Sequence, residues 1–165
     1  KNLAIDYNKT AWEIQNQIRA FAFRVYQLPK FNGQEITHAV ATNEKSLEKP
    51  GTLLKETETF FLIASVDYNV CIYKDALQKI LDAATAGNLT LLKELKQHGH
   101  NLTEKNTKGW DALIVAAYNE QAEVCKWLLQ NGADVNSVNN NGTSVLMYSM
   151  TAACKSNRTD VMDLR

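Results

Sequence analysis

Aromatic and amide side chains gather around the glycine-containing turns in the second half of the sequence. Trp110 directly follows Gly109, and an indole at such a position can stack on a planar ligand or anchor a protein partner. Neighbouring amides and a hydroxyl can supply the hydrogen bonds that orient a ligand. The residues with this chemistry are Trp110, Tyr118, Asn119, Asn139, Asn141 and Thr143.

A second pair of residues with binding chemistry lies near the start of the chain. Arg19 carries a guanidinium group that can meet a phosphate, and Tyr26 carries a ring that can stack on a pyrimidine. A structural arginine and a core tyrosine would explain the same two residues. The sequence leaves both interpretations open.

Internal repetition indicates which elements position the aromatic and amide groups. Three sets of small residues recur at a spacing of 33 residues, which is the period of the ankyrin repeat. The stretch from Gly109 to Asn136, which includes "LLQNGADVN", resembles the ankyrin pattern closely. The matching positions are Ala83-Ala84 with Ala116-Ala117, Gly99 with Gly132, and Gly109 with Gly142.

The ankyrin resemblance predicts an array of helix pairs over residues 75–165. Ala116 and Ala117 are small because neighbouring repeats pack closely there, and Gly132 ends the second helix of its repeat. The third unit departs from the pattern after Met150, and Arg165 falls inside its expected second helix. We therefore expect about two and a half repeats, with more repeat following in the parent chain.

The same resemblance predicts a concave ligand groove. The residue after the turn glycine and the two residues after the paired alanines project into it, so Trp110, Tyr118 and Asn119 should converge. The turn of the next repeat should add Asn139, Asn141 and Thr143. Trp110 then admits three interpretations: a protein-binding hot spot, a stacking platform for a planar ligand such as a nucleobase, or a contact with a missing domain or a second subunit. We expect Trp110 to contribute little to stability, and Trp127 to be a packing residue.

One departure from the ankyrin pattern concerns the start of a helix. The usual Thr-Pro-Leu-His is replaced by Asp111-Ala112-Leu113-Ile114, so Asp111 should cap the helix in place of threonine. The histidine that ties the loop is absent from this position. We therefore expect a looser turn here.

The sequence of residues 1–74 predicts a helix followed by antiparallel strands. Thr10 and Glu13 form a capping box, and Ile14 and Ile18 then fall on one helical face. After the breakers Pro29 and Gly33, apolar residues alternate or run in short stretches, as in about four strands. The predicted class is α+β: a small helix-plus-sheet domain over residues 1–74 and an all-α ankyrin array over residues 75–165.

The first domain carries a resemblance of its own. The stretch "IDYNKTAWEIQNQIRAFAFRVYQLPKFNG" has an Ile-Asp-aromatic entry, a helix with Ala-x-Glu-Ile-x-Asn and Ile-Arg-Ala, and an aromatic and proline stretch. It resembles the segment after the catalytic core of formyltetrahydrofolate-dependent formyltransferases, which include methionyl-tRNA formyltransferase and the sugar N-formyltransferases. Pro50-Gly51-Thr52 resembles the next part of that sheet. The resemblance spans roughly residues 4–74 but departs at residues 24–29, where the family has Pro-aromatic-Pro-Gly.

Ankyrin extensions occur on some sugar N-formyltransferases, so the resemblance implies the C-terminal portion of such an enzyme. It implies N10-formyltetrahydrofolate as donor, a nucleotide-linked amino sugar such as a dTDP-sugar as acceptor, and a place in lipopolysaccharide sugar biosynthesis. The catalytic Asn, His and Asp of the family belong to an upstream domain, so no catalytic residue is predicted in this chain, which should be inactive alone. The resemblance places Arg19 and Tyr26 near the substrate. The alternative is a non-enzymatic ankyrin module for protein interaction.

Composition excludes several other classes of function. Lys and Arg number 18 and Asp and Glu number 18, so we expect no nucleic-acid partner, and no apolar run is long enough for a membrane span. The three cysteines are far apart, which favours reduced thiols and a cytoplasmic location. His98 and His100 bracket a turn glycine without a third ligand, so we predict solvent-exposed histidines and no metal site. The strands of the first domain leave a homodimer open.

Overall fold

The computed structural model describes residues 4–24 and 27–156, and these form two compact units with the division between Asp75 and Ala76. The first unit combines a helix with an antiparallel sheet, and the second is helical, which agrees with the predicted α+β class. The elements of the first unit are α1 (Ala11–Phe21), β1 (Lys30–Phe31), β2 (Gln34–Lys45), β3 (Leu53–Glu56), β4 (Phe60–Ile63) and β5 (Tyr68–Lys74). Those of the second are α2 (Leu77–Ala86), α3 (Leu89–Gln97), α4 (Ala112–Tyr118), α5 (Ala122–Gln130) and α6 (Val145–Ser156).

Helix α1 begins at the capping box that the sequence predicts. The Glu13 amide donates to Thr10 Oγ1 at 3.3 Å, and the Thr10 amide donates to Glu13 Oε2 at 3.0 Å. Asp67, which precedes β5, adds a further cap because its Oδ1 accepts from the Ala11 amide at 2.7 Å. These bonds satisfy amides that have no partner inside the helix and fix its start against the sheet.

One face of α1 covers the sheet, whose strand order is β1-β2-β5-β4-β3. Ile14 and Ile18 are fully buried in a core with apolar side chains from β2, β4 and β5. The two-residue loop between β1 and β2 is Asn32-Gly33, both with positive φ, as a hairpin of this length requires. The sheet has five strands rather than about four, because β1 is a two-residue strand too short for its pattern to be read from the sequence.

The second unit contains two complete helix pairs, α2 with α3 and α4 with α5, followed by α6. Ala83, Ala84, Ala116 and Ala117 are all buried, which confirms the close packing predicted from the small residues. Gly132 follows the last helical turn of α5 at φ +94°, and the Ala133 amide donates to the Leu128 carbonyl at 3.0 Å. The expected second helix of the third repeat lies outside the described residues.

Asp111 caps α4, as predicted, and also ties the neighbouring loop. Its Oδ1 accepts from the Ile114 amide at 2.9 Å, and its other oxygen accepts a hydrogen bond from the Ser137 hydroxyl. Lys105 Nζ adds a bond to the Val138 carbonyl at 2.7 Å. The expectation of a looser turn was therefore wrong, because these side chains replace the tie that the absent histidine would provide.

Candidate functional site

Three aromatic rings of the second unit form a cluster, which we call the aromatic cluster: Trp110, Tyr118 and Tyr148. The centroid of the Trp110 ring lies 5.7 Å from that of Tyr118 and 5.1 Å from that of Tyr148. The centroids of the two tyrosine rings are 5.7 Å apart, and their planes are at 90° to each other. These are the separations and tilted or edge-to-face angles that aromatic pairs prefer. The structure thus brings together two of the predicted groove residues, Trp110 and Tyr118, and adds a third ring.

The position of Trp110 is set by an asparagine at the start of its turn. Asn106 Oδ1 accepts from the Lys108 amide at 2.9 Å and from the Trp110 amide at 3.0 Å. Gly109 adopts φ +77°, and a Cβ there would collide with Asn140. Trp110 is half-buried and packs against the repeat core, which corrects the expectation that it projects from the turn with little role in the fold.

The turn of the third repeat uses the same arrangement 33 residues later. Asn139 Oδ1 accepts from the Asn141 amide at 3.0 Å and from the Thr143 amide at 2.9 Å, and its Nδ2 donates to Tyr148 Oη at 2.8 Å. Asn139 is only 6% exposed. Its side chain therefore builds the turn and holds the cluster, and it does not offer the ligand-facing amide that the sequence suggested.

The remaining predicted groove residues divide by exposure. Tyr118 is 41% exposed at the end of α4, whereas Asn119 Nδ2 donates to the Val115 carbonyl at 2.8 Å and is used at the helix end. Asn141 is exposed and Thr143 is half-buried. Of the predicted asparagines, Asn119 and Asn139 therefore use their side-chain amides within the fold, and Asn141 is the exposed one.

Sequence reasoning missed Tyr148, although a signal was available. Alignment at the repeat period places Tyr148 opposite Val115, a buried residue in the first turns of α4. A tyrosine at a position filled by valine in the preceding repeat carries a hydroxyl that must find a partner, and Asn139 is that partner. Comparing the repeats position by position would have identified it.

Of the two binding residues predicted near the start of the chain, the structure describes only Arg19. Arg19 lies in the last turn of α1 with an exposed side chain. Tyr26 falls outside the described residues, so its place near the substrate stays a prediction. In the adjoining segment, Arg24 forms a two-bonded ion pair with Asp75, with Nη1 to Oδ2 at 2.9 Å.

A separate cavity of about 380 Å³ opens between the loops of the first two repeats. Its lining includes Leu102, Lys105, Asp111, Ala133 and Ser137. The carboxylate of Asp111 and the ammonium of Lys105 are both engaged in the loop bonds described above. None of the three rings of the aromatic cluster lines this cavity. The charged groups of Asp111 and Lys105 in its wall form hydrogen bonds that hold the loops together.

The histidines and cysteines offer no reactive centre among the residues that the structure describes. His38 stacks on Tyr73 with ring centroids 4.5 Å apart, and His100 is buried, which corrects the expectation of a solvent-exposed histidine. Burial raises the pKa of the Cys71 thiol and raises that of Cys125 to about 12, so both stay protonated rather than acting as thiolates. Within the described ranges, His, Cys, Asp and Glu form no group of three that could hold a metal ion.

Two family models match the chain. The model described as "Formyl transferase, C-terminal domain" matches residues 1–99, and that described as "Ankyrin repeats (3 copies)" matches residues 80–164. The ranges overlap at residues 80–99, where the structure has helices that belong to the second unit.

Curated relatives match over shorter stretches. The chain is 45% identical over 60 residues to a potassium channel, AKT1, of Arabidopsis thaliana, and 41% identical over 63 residues to a human mitochondrial disaggregase. It is 27% identical over 71 residues to human protein phosphatase 1 regulatory subunit 27. These matches cover 36%, 38% and 43% of this chain but only 7%, 9% and 46% of the relatives. Across the part of the chain that the structure describes, every helix is too short or too polar to cross a bilayer.

Proposed function

We propose that this chain, which belongs to the formyl transferase C-terminal domain family over residues 1–99 and to the ankyrin repeat family over residues 80–164, is the C-terminal portion of a nucleotide-linked amino-sugar N-formyltransferase. Both resemblances drawn from the sequence are confirmed at the level of the family. The observation that carries the proposal is the presence of these two domain types in one chain, since the sugar N-formyltransferases include members with ankyrin extensions.

The family implies a folate-type formyl donor for the parent enzyme, N10-formyltetrahydrofolate. We find no side chain among the described residues of 1–75 that suits the general base needed at the formyl group of that donor. Proton transfer from the attacking amine needs a base within hydrogen-bond reach, and His38 is the one histidine of residues 1–75. Its ring stacks on Tyr73, and its Nδ1 lies 3.0 Å from Thr37 Oγ1. We therefore assign the chemical step to an upstream domain and expect the isolated chain to be inactive.

In this proposal, Arg19 and Tyr26 belong to the substrate side of the parent enzyme. Arg19 extends an exposed guanidinium from a helix whose start is fixed by three side-chain bonds, and such a group suits the diphosphate of a nucleotide sugar. The role of Tyr26 rests on its place in the sequence after α1.

The aromatic cluster is proposed as a second site for the nucleotide part of such a ligand. Tyr118 is the most exposed of its three rings, and the rings of Trp110 and Tyr148 each contact it edge to face. Because Tyr148 Oη accepts from Asn139, its own proton is available to donate to a ligand oxygen. Stacking on these rings and hydrogen bonds from Tyr148, Asn141 and Thr143 are the contacts that a pyrimidine base requires.

A protein partner is the alternative occupant of the same surface. Tryptophan and tyrosine are enriched at protein-binding hot spots, and the exposed part of Tyr118 would suit that role as well. In that case the chain is an ankyrin interaction module. The homodimer that the strands of the first unit leave open is compatible with either function.

Formyl transfer by the parent protein tests the proposal. The complete protein should formylate a nucleotide-linked amino sugar when supplied with N10-formyltetrahydrofolate, and this chain alone should not. Arg19→Ala and Tyr26→Ala in the complete protein should lower kcat/KM while leaving the melting temperature unchanged. Turnover by the isolated chain, or a complete protein without formyl transfer, contradicts the proposal.

A further inference from the structure

The pair Asn-Gly occurs three times in the chain, at Asn32-Gly33, Asn131-Gly132 and Asn141-Gly142. In such a pair the asparagine side chain can react with the backbone, because the glycine amide nitrogen can attack the side-chain carbonyl carbon. Glycine has no Cβ to hinder this approach, and asparagine is one of the heat-labile residues. The three pairs have the same chemistry, so their surroundings decide which of them reacts.

At the end of α5, hydrogen bonds hold both reacting groups of one pair. Asn131 Nδ2 donates to the Trp127 carbonyl at 2.7 Å, and Asn131 Oδ1 accepts from Lys96 Nζ at 2.7 Å. The Gly132 amide donates to the Leu129 carbonyl at 3.2 Å. The side-chain carbonyl carbon of Asn131 is therefore fixed away from attack.

In the turn of the third repeat, the attacking group is held instead. The Gly142 amide donates to the Asn139 carbonyl at 3.0 Å, and the Asn141 amide donates to Asn139 Oδ1 at 3.0 Å. An amide that is bonded inside a turn is fixed in position and gives up its proton less readily than an exposed one. The exposed side chain of Asn141 thus faces a restrained nucleophile.

Neither restraint is present at Asn32-Gly33, the loop between β1 and β2. Both residues are exposed, and within the described part of the chain neither the Asn32 side chain nor the Gly33 amide has a hydrogen-bond partner. A Cβ built on Gly33 would meet no atom within 4 Å, so the space around it is open. Because β1 has only two residues, few ladder bonds oppose a local opening of this loop.

We propose that Asn32 is a site of spontaneous deamidation, a modification independent of the proposed function. The Gly33 nitrogen gives its proton to water and forms a bond to Asn32 Cγ. The Cγ–Nδ2 bond breaks, and the Nδ2 group takes up a proton and leaves as ammonia. Water then opens the resulting five-membered imide: cleavage at the side-chain carbonyl gives aspartate, and cleavage at the main-chain carbonyl gives isoaspartate. The net reaction consumes water and releases ammonia, without an oxidant or reductant.

The isoaspartate product changes the hairpin as well as its charge. Its backbone runs through the Cβ, so the loop gains an atom and no longer matches the two-residue turn that Asn32 and Gly33 form with positive φ. The preceding residue, Phe31, contacts Tyr7 and Phe61 edge to face, with ring centroids 5.4 and 4.9 Å away. Formation of isoaspartate therefore loosens the ring packing beside the core of the first unit.

Peptide mapping by mass spectrometry, on the folded chain aged at mildly alkaline pH, tests the proposal. Asn32 should gain the mass of the acid several-fold faster than Asn131 and Asn141. The same chain aged in guanidinium chloride is the control, and there the three pairs should react at similar rates because the fold no longer restrains them. Equal rates in the folded chain, or a faster reaction at Asn131 or Asn141, overturn the proposal. The same ranking with and without denaturant also overturns it, because the neighbouring sequence would then select the site.

A variant tests the consequence for the hairpin. Asn32→Gly keeps a residue that tolerates positive φ and removes the reacting side chain. Ageing should lower the melting temperature of the wild type in step with its isoaspartate content, measured by enzymatic methylation of the isoaspartyl carboxylate. The melting temperature of Asn32→Gly should not change with age. An equal decrease in both proteins, or isoaspartate at Asn32 without any decrease, overturns the predicted loosening.

Discussion

The side-chain amide of Asn139 donates a hydrogen bond to Tyr148 Oη at 2.8 Å. The same side chain accepts bonds from two amides of its own turn, so one residue fixes both the backbone of the loop and a ring of the aromatic cluster. Asn106 makes the equivalent turn one repeat earlier and positions the backbone of Trp110. The cluster is thereby held before any ligand arrives, which reduces the ordering that binding requires.

Asn139→Ala should destabilise the second unit by about 1–3 kcal/mol, because a half-buried phenol and two backbone amides lose their partner. Chemical denaturation measures this change. Asn106→Ala is the matched control, since it removes the same two turn bonds without a tyrosine hydroxyl. Tyr148→Phe should recover part of the loss in the Asn139→Ala background; no recovery would show that the hydroxyl bond contributes nothing.

Trp110→Ala and Trp127→Ala should have similar costs, each about 1–3 kcal/mol of unfolding free energy. Both indoles are half-buried and pack against the same core, and Lys96 Nζ lies 5.9 Å from the Trp127 ring centroid. This replaces the sequence-based expectation of a small effect at Trp110 and a large one at Trp127. Thermal or urea unfolding of the two variants measures these costs. An unchanged free energy of unfolding in Trp110→Ala would instead support the sequence-based expectation.

Asp67 should make the first unit sensitive to acid. The bond from the Ala11 amide, followed by those from Tyr68 and Ser65, holds the pKa of Asp67 below its usual value of 3.8. A depressed pKa contributes stability that is present above the ordinary pKa and is lost as pH falls through the folded-state value. The melting temperature of wild type should therefore fall below about pH 4. Asp67→Asn should melt lower at neutral pH and show a smaller decrease; identical pH profiles would contradict this role.

Much of the fold could be predicted because its signals are local or periodic. The repeat spacing, the capping box at Thr10 and the cap at Asp111 depend on neighbouring residues, and each is present. Asp67 could not be predicted as a cap for α1, because it lies 56 residues from Ala11 and only the folded sheet brings it there.

The candidate site was predictable only in part, for a similar reason. The repeat register placed Trp110 and Tyr118 on one surface, but it could not show whether each amide faces a ligand or serves its own loop. Asn119 and Asn139 use their amides within the fold, a choice that depends on side-chain geometry. Tyr148 stands where the preceding repeat has Val115, so the residues that the repeats share do not reveal it.

Titration of the chain with a thymidine or uridine diphosphate sugar, followed by tryptophan fluorescence, tests most directly whether the aromatic cluster is a nucleotide site. The wild type should show saturable quenching, and Tyr118→Ala should weaken binding by about 1–3 kcal/mol, the range for loss of one stacking ring. Trp127→Phe, outside the cluster, should bind as the wild type does, and the quenching should vanish in Trp110→Ala. An absence of binding in wild type, or equal affinity in wild type and Tyr118→Ala, would contradict a nucleotide site and favour a protein partner at this surface.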